Sequence, residues 1–265
     1  MYNRLFTFGC SFTSWHWPTW ADILGQEFKG RFKNLGMCAA GNEFIFHRLI
    51  ECHARENLTK DDLIIICWTN FAREDRYLPD RGWTTAGNIF TQNLYNKEWI
   101  KRWFDLRGAL IKTVGFISAV KMILDQIGCR YEFISMMPMD QINEYDSIFL
   151  GEEYKDVLQL YAQTLSHIKP SITETLWGKG SYQSHNPVNF YYEQGGHIIW
   201  DNHPGPSEHL DYLNLMLPEL GITLSSETID YVNVWEQKVR SGSYVSEWTP
   251  RYRARLHHSG YFRVT

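Results

Sequence analysis

The sequence predicts a three-layer α/β/α domain with a central parallel sheet, and three observations lead to this fold class. Short apolar runs that are typical of buried strands alternate with stretches of helical periodicity. Residues 63–68 (LIIICW) form a continuous, β-branched run, as expected of a central parallel strand that is covered on both faces. Small and polar residues follow directly after several of these runs, where a strand would pass into a loop. This alternation favours helices on both faces of one sheet.

The first half of the chain supplies two strands and two helices before the central run. Residues 5–9 are predicted as a short buried strand, and residues 18–28 as a helix that begins with a proline. Residues 32–35 are predicted as a second strand. Asn42 is expected to cap a helix over 43–56, in which apolar residues mark a core face. The central run then follows as the third strand.

The second half begins with a segment of different composition. Residues 73–96 are rich in Arg, Asp, Gly and Thr, and we expect them to form a long excursion over the surface. A long helix is predicted over 97–127, with Gly128 as its stop signal. A fourth strand is predicted at 131–136 and a further helix at 153–167.

The last part of the chain divides near residue 220. Residues 197–200 (HIIW) are predicted as a short terminal strand, followed by a helix. We expect one domain over residues 1–220. Residues 221–265 carry several aromatic residues and the basic run RYRAR, and they are predicted as an extension that packs on the core or serves as an interface.

The composition limits the classes of partner. The formal charge is −4, with 26 basic and 30 acidic residues mixed along the chain, so no basic stripe is present and nucleic acid is not an expected partner. Aromatic residues make up 15% of the chain and include 11 tryptophans. Some of these are expected to line an exposed groove that binds sugar or lipid-like ligands, although any single one could equally fill the core.

The cysteines and the hydrophobic runs bear on location. The 5 cysteines form no CxxC pair, which predicts buried free thiols in a reducing compartment. No apolar run approaches the ~18 residues of a membrane span, and no signal-peptide core is evident. A cytoplasmic location is therefore expected, with a viral particle as the alternative. A homo-oligomer is left open.

Residues with complementary chemistry follow four of the predicted strands. The carboxyl ends of parallel strands open onto the same edge of a sheet, so we expect these residues to lie near one another. In chain order they are Ser11, then Gly41 with Asn42, then Thr69 with Asn70, and finally Asp201 with His203.

These residue types suit nucleophilic catalysis. A serine hydroxyl needs a base to remove its proton, and the base needs a group that fixes its orientation. Ser11 and His203 would fill the first two roles. In an extended segment residues two apart point to the same side, so Asp201 is predicted to hold His203. The N–H groups of Ser11 and Gly41 and the side-chain amide of Asn70 are predicted to form the oxyanion hole.

Four short segments resemble the conserved blocks of one enzyme family. Residues 9–13 (GCSFT) resemble the GDSxT block of the SGNH (GDSL-like) hydrolases, and Gly41 falls where that family has its second-block glycine. Residues 68–71 (WTNF) resemble the GxND block, and residues 201–204 (DNHP) resemble DxxHP. The order of four blocks is more specific than any one of them. The gap between aspartate and histidine is one residue shorter than in the family, so a dyad of Ser11 and His203 is the alternative to a triad.

The resemblance implies a flavodoxin-like SGNH hydrolase fold and an esterase that works through a covalent acyl-enzyme without a cofactor. The family acts on acetylated carbohydrates, short-chain esters, lipids and thioesters. The tryptophan-rich loops favour an acylated carbohydrate, with deacetylation as the reaction. Asn42, Thr69 and Arg73 are further candidates for substrate binding, although Arg73 could instead belong to a solvated loop.

Other functions stay open from the sequence. An acyltransferase would use the same site. A non-catalytic glycan-binding or structural module, for instance in a phage particle, would keep the fold. A metal site is not predicted, because His197, His203 and His209 are accompanied by no cysteine or carboxylate at ligand spacing.

Overall fold

The computed structural model describes residues 2–91, 95–142, 148–180, 203–241 and 261–262, together with the backbone of 190–194 and 197–201. The elements in chain order are β1 (Arg4–Phe8), α1 (Trp20–Gly25), β2 (Phe32–Asn34), α2 (Asn42–Glu56), β3 (Asp62–Trp68), β4 (Arg73–Leu78), β5 (Gly82–Asn88), α3 (Lys97–Trp103), α4 (Leu106–Ile127), β6 (Arg130–Ser135), α5 (Lys155–Leu160), α6 (Ala162–Leu165), α7 (Ile172–Trp177), β7 (Phe190–Gln194), β8 (His197–Asp201), α8 (Pro206–Leu220) and α9 (Ser226–Arg240).

The central sheet has four parallel strands in the order β2-β1-β3-β6. All seven residues of β3 are buried, as the continuous apolar run predicts. The chain passes from β1 to β2 on one side and then crosses to β3 on the other side of β1. The strand order therefore reverses between β1 and β3, which is where open α/β sheets form their ligand crevice.

Helices cover both faces of this sheet. In one layer α8 packs against α1, α7 and α9, and in the other α4 packs against α2 and α6. Right-handed crossovers require this division, because α1 and α2 belong to connections that run in opposite directions across the sheet. The predicted three-layer α/β/α architecture is confirmed.

The expected surface excursion after β3 is instead a hairpin, β4–β5, and the expectation of a loop was wrong. The first three residues of β4 are buried although all of them are charged. Asp75 accepts hydrogen bonds from the backbone N–H groups of Gly41 and Phe44, both at 2.9 Å. These contacts satisfy a carboxylate whose burial the sequence could not indicate.

The long helix expected over 97–127 is divided into α3 and α4. Phe104 and Asp105 adopt extended backbone between them. The Asp105 carboxylate accepts a hydrogen bond of 2.8 Å from the backbone N–H of Gly108 and so caps α4. A local capping residue here overrides a hydrophobic periodicity that continues across the break.

The predicted terminal strand lies outside the parallel sheet. Strand β8 pairs antiparallel with β7. The outer edge of β6 is instead bridged by Ile168, in parallel with Phe133, and the N–H of Lys169 donates to Phe133 at 2.9 Å. Pro170 has no N–H to offer, which ends this short pairing.

The chain beyond residue 220 begins with α9, which packs on α1 and α8. Val232 and Trp235 of α9 are buried. Near the end of the chain, the hydroxyl of Tyr261 donates to Glu56 at 3.3 Å. The aromatic and basic residues of 242–260, including the RYRAR run, lie outside the described residues, so the division of the chain near residue 220 stays a prediction.

All five cysteines are free thiols, and four of them are buried. Among the described residues, no helix combines the length and the apolar character that are needed to cross a bilayer.

Candidate active site

A tight turn at the end of β1 places Ser11 at the edge of the sheet. Gly9 has φ +156°, and a side chain there would place its Cβ 2.1 Å from Thr13 Oγ1. Only glycine fits this close approach. The carbonyl of Cys10 then accepts hydrogen bonds from Thr13 and Ser14, at 2.9 and 3.1 Å. Ser11 therefore begins a helical turn immediately beyond the strand.

The candidate nucleophile and base are in direct contact. His203 Nε2 lies 2.8 Å from Ser11 Oγ, although the two residues are 192 positions apart in the chain. When Nε2 carries no proton it can accept the hydroxyl proton, which is the contact that activates a serine. Ser11 is 5% exposed and His203 is half-buried, so the pair is reachable from the His203 side.

Aromatic residues that follow Ser11 surround His203. The Trp15 ring stacks on the imidazole, with centroids 3.7 Å apart and planes at 19°. The centroid of the Phe12 ring lies 5.4 Å from the centroid of the imidazole, and the two ring planes are inclined at 52°. Trp17 Nε1 donates to the carbonyl of Pro204 at 2.7 Å. Sequence reasoning gave these residues no role, although the aromatic density of FTSWHW directly after Ser11 was a signal.

The segment that carries His203 lies between β8 and α8. Gly205 and Pro206 begin α8, and the N–H of Gly205 donates to Glu208 Oε2 at 2.8 Å. Asp201 ends β8, but its side chain lies outside the described residues. Its role as the triad acid stays a prediction.

The three predicted oxyanion donors differ in the hydrogen bonds that they make. Within the described part of the chain, the Ser11 N–H makes no hydrogen bond to a backbone carbonyl. The Gly41 N–H donates to Asp75. The Asn70 amide donates to the carbonyl of Gln141 at 3.0 Å, and its oxygen accepts from the N–H of Ala72 at 2.7 Å. Gly41 and Asn70 are therefore engaged elsewhere in this structure.

Asp75 takes the place of a capping side chain for α2. The N-cap position is Gly41, which has no side chain of its own. Burial raises the pKa of Asp75 to about 7, while the N–H groups of Phe44 and Gly41 oppose that shift. The hairpin thus fixes the residue at which α2 begins. It also fixes the backbone next to the carboxyl ends of the parallel strands.

Asn42 and Thr69 join α2 to the end of β3. The Asn42 amide donates to the Thr69 carbonyl at 2.9 Å, and Asn42 Oδ1 accepts from the Thr69 N–H at 2.9 Å. This reciprocal pair is a structural use of two residues that the sequence suggested for substrate binding.

Arg73 is buried, which rules out the alternative of a solvated loop, while its role in substrate binding stays a prediction. Its Nη1 donates to the carbonyl of Ala40 at 3.2 Å, and Nη2 lies 3.5 Å from Met136 Sδ. Cys10 Sγ lies 3.5 Å from the same sulfur. A positive charge is therefore held close to the residue that precedes Ser11.

A second histidine lies behind the site. His209 is fully buried, and neither ring nitrogen has a hydrogen-bond partner among the described residues. Its ring meets the Phe12 ring edge-on at 6.4 Å. Burial, followed by the proximity of His203, lowers the pKa of His209 to about 3, which keeps it neutral. Among the described residues, no three His, Cys, Asp or Glu side chains are grouped as metal ligands.

A cavity of about 630 Å³ lies between the outer side of α2 and the β4–β5 hairpin. It contains none of the candidate catalytic residues. Its walls are formed by His47, Ile50, Glu51, Ala54, Arg55, Tyr77, Trp83 and Phe262.

The solved structures to which the chain is similar include the following two. One is described as an acylhydrolase from Bacteroides fragilis NCTC 9343, with 15% identity, a TM-score of 0.45, and coverage of 84% of this chain and 88% of that chain. Another is described as a lipolytic protein of the G-D-S-L family from Desulfitobacterium hafniense DCB-2, with 14% identity, a TM-score of 0.36, and coverage of 93% and 99%. No protein-family model and no curated protein matches the chain. At these identities the neighbours do not define the chemistry of this chain, which depends on the contacts around Ser11 and His203.

Proposed function

We propose that this chain is an SGNH-type serine hydrolase that cleaves a carboxylic ester through a covalent acyl-enzyme. The observation that carries the proposal is the 2.8 Å contact between His203 Nε2 and Ser11 Oγ. This contact lies at the end of β1, beside the point where the strand order of the sheet reverses. A hydrogen-bonded Ser–His pair at that position is the arrangement that acyl transfer requires.

The reaction proceeds in two halves. Ser11 Oγ attacks the ester carbonyl while its proton passes to His203 Nε2. The tetrahedral intermediate collapses, and His203 returns the proton to the departing alcohol, which leaves an acyl group on Ser11. A water molecule then attacks this acyl group with His203 again as the base, and the carboxylic acid is released.

The oxyanion requires donors that are aimed at the attacked carbonyl. The Ser11 N–H is proposed as the first of them. Gly41 and Asn70 are proposed as the others, and both would exchange their present acceptors, Asp75 and the Gln141 carbonyl, for the oxyanion. Asp201 is proposed to orient His203 as the triad acid. The loss of one oxyanion donor typically reduces turnover by ~10²–10³.

The substrate is proposed to be an O-acetylated carbohydrate. The aromatic residues near the catalytic pair support this choice, because aromatic faces pack against sugar rings. Trp15 lies against His203 and is only partly buried, so the entrance to the site carries an aromatic side chain.

The decisive test is labelling by a fluorophosphonate, which reacts with an activated serine. The native chain should form one adduct per molecule, and Ser11→Ala should form none. Ser14→Ala is the matched control, since Ser14 is buried in the same turn and should leave labelling unchanged. A folded native chain without a Ser11-dependent adduct would exclude the hydrolase and favour a non-catalytic module.

Product analysis separates hydrolysis from transfer. With a labelled acetyl ester, a hydrolase releases labelled acetate into water even when a sugar alcohol is added. Preferential appearance of the label on the sugar hydroxyl would instead identify an acyltransferase at the same site.

A further inference from the structure

The contact between Trp15 and His203 is closer and flatter than ordinary packing of aromatic residues requires. The ring centroids are 3.7 Å apart with planes at 19°, so the imidazole lies face to face on the indole. By comparison, the contact of Phe12 with the same imidazole is 5.4 Å at 52°. One face of His203 is therefore defined by Trp15.

Ser11 and Trp15 belong to the same short segment. Ser11 begins the turn that is closed by the hydrogen bonds to Cys10, and Trp15 follows that turn directly. Trp17 then holds the backbone of the histidine segment through Pro204. The segment from Ser11 to Trp17 thus carries the hydroxyl of the catalytic pair and also contacts its imidazole ring. This fixes the position of the two groups relative to each other.

The face of an indole is electron-rich and attracts a cation more strongly than a neutral ring. During acylation, His203 changes from a neutral imidazole to an imidazolium as it receives the proton of Ser11. The stack therefore becomes stronger as the transition state forms, and an interaction of that kind raises kcat.

We propose that Trp15 is a positioning residue for His203: its indole face holds the imidazole with Nε2 towards Ser11 and stabilises the imidazolium that forms during the reaction. This inference rests on the proposed function. The effect of Trp15 adds to any contribution of Asp201, because Asp201 would act at the edge of the His203 imidazole while Trp15 acts on its face.

Substitutions of Trp15 give graded expectations. Trp15→Leu removes the π face, and we expect kcat and the rate of fluorophosphonate labelling to fall about 3- to 30-fold, which corresponds to a cation–π contact. The KM should change less than about 2-fold. Trp15→Tyr and Trp15→Phe keep a ring of decreasing electron density, so their labelling rates should fall in that order between the native and leucine values. Trp103→Leu is the matched control, because Trp103 is 65% exposed and should leave the rate unchanged.

A double-mutant cycle separates positioning from general packing. In a His203→Gln background, replacing Trp15 by Leu should produce no further loss of activity, since the ring that it supports is gone. An equal fold-loss in both backgrounds would overturn the proposal. Equal labelling rates for the native, Phe and Leu variants, measured on protein that melts cooperatively, would overturn it as well.

An NMR measurement tests the stack without any catalysis. The C–H resonances of an imidazole that is stacked on an indole are shifted upfield by the ring current. We expect the His203 resonances to move downfield in Trp15→Leu, and their constancy would contradict the contact. If the native protein fails to label at Ser11, the proposed function fails. If it labels and Trp15→Leu labels equally fast, only this inference fails.

Discussion

The backbone N–H of Gly41 donates to Asp75 Oδ1 across 2.9 Å, so the start of α2 is capped by a side chain from the hairpin that follows β3. Asp75 Oδ2 also accepts from the N–H of Phe44 at 2.9 Å. One buried carboxyl group therefore links the hairpin, α2 and the edge of the sheet where Ser11 lies. It also competes for an N–H that the catalytic proposal assigns to the oxyanion.

Asp75→Asn is expected to destabilise the protein by about 1–3 kcal/mol at acidic pH, because an amide offers one acceptor oxygen to two buried N–H groups. Burial raises the pKa of Asp75 to about 7, against about 3.9 in an unfolded chain. The folded state therefore binds this proton more tightly, and the contribution of Asp75 to native stability should fall between about pH 4 and pH 7, by up to ~1.4 kcal/mol per pH unit.

Denaturant unfolding across this pH range measures the effect. The difference in the free energy of unfolding between the native protein and Asp75→Asn should narrow as the pH rises, because the variant lacks the titrating group. Asp211→Asn, at an exposed position of α8, should show no such trend. A gap that widens with rising pH would show that Asp75 is charged in the folded protein.

The burial of His209 predicts a contribution to stability with the opposite dependence on pH. Its pKa is lowered to about 3 in the fold, against about 6.5 when unfolded. The unfolded chain therefore binds more protons between these values, so the contribution of His209 to stability should be complete above about pH 6.5 and be lost as the pH falls, by up to ~1.4 kcal/mol per unit. His209→Leu should remove this slope and leave stability at pH 7 equal or higher, since two unpaired nitrogens leave the core.

The matched control for this substitution is His167→Leu, at an exposed histidine, which should retain the native slope. Thermal melts at pH 5 and pH 7 measure the difference between each variant and the native protein, in which the opposite contribution of Asp75 cancels. A large loss of stability in His209→Leu at pH 7 would mean that the imidazole has partners that the described residues do not include.

Asp201→Asn distinguishes a triad from a dyad. We expect kcat to fall by ~10²–10⁴ because the imidazole loses the group that fixes its tautomer. Asp211→Asn is again the matched control. A fall of less than about 10-fold, measured as acetate release at saturating substrate, would assign the site to a dyad of Ser11 and His203.

Asn70→Ala tests the oxyanion assignment. The amide is expected to turn from the Gln141 carbonyl to the substrate oxygen, so its loss should lower kcat by ~10²–10³ with little change in KM. If the role of Asn70 is only to hold residues 137–142, the variant will melt at a lower temperature while kcat per folded molecule is retained.

Gly9→Ala is expected to destabilise the protein by more than about 2 kcal/mol, because a Cβ would collide with Thr13 Oγ1 at 2.1 Å in a backbone conformation that favours glycine. Gly115→Ala is the matched control. Gly115 lies within α4, and no atom of the described residues beyond the backbone of the helix itself lies within 4 Å of the position that a Cβ would take, so alanine should stabilise the helix by about 0.5–1 kcal/mol. Equal melting temperatures for the two variants would contradict the strained turn.

The sequence predicted the strands of the sheet because their signal is local. The apolar run of β3 is buried throughout, and Gly9 forms the predicted turn. The predicted cap of α2 was wrong by one residue, because Gly41 and not Asn42 occupies the N-cap position. The β4–β5 hairpin was missed, since Asp75 is stabilised by backbone groups of a helix 34 residues away. The break between α3 and α4 was missed because a single capping aspartate outweighs helical periodicity.

The sequence by itself determined the order of the four parallel strands and the candidate pair of Ser11 and His203, because periodicity and residue type are properties of short segments. Only the tertiary structure decided that these two side chains meet, that Trp15 covers the face of the imidazole, and that Asp75 occupies the Gly41 N–H. Each of these contacts joins separate segments of the chain. Their geometry is set by the packing of the whole sheet and its helices, which no local pattern encodes.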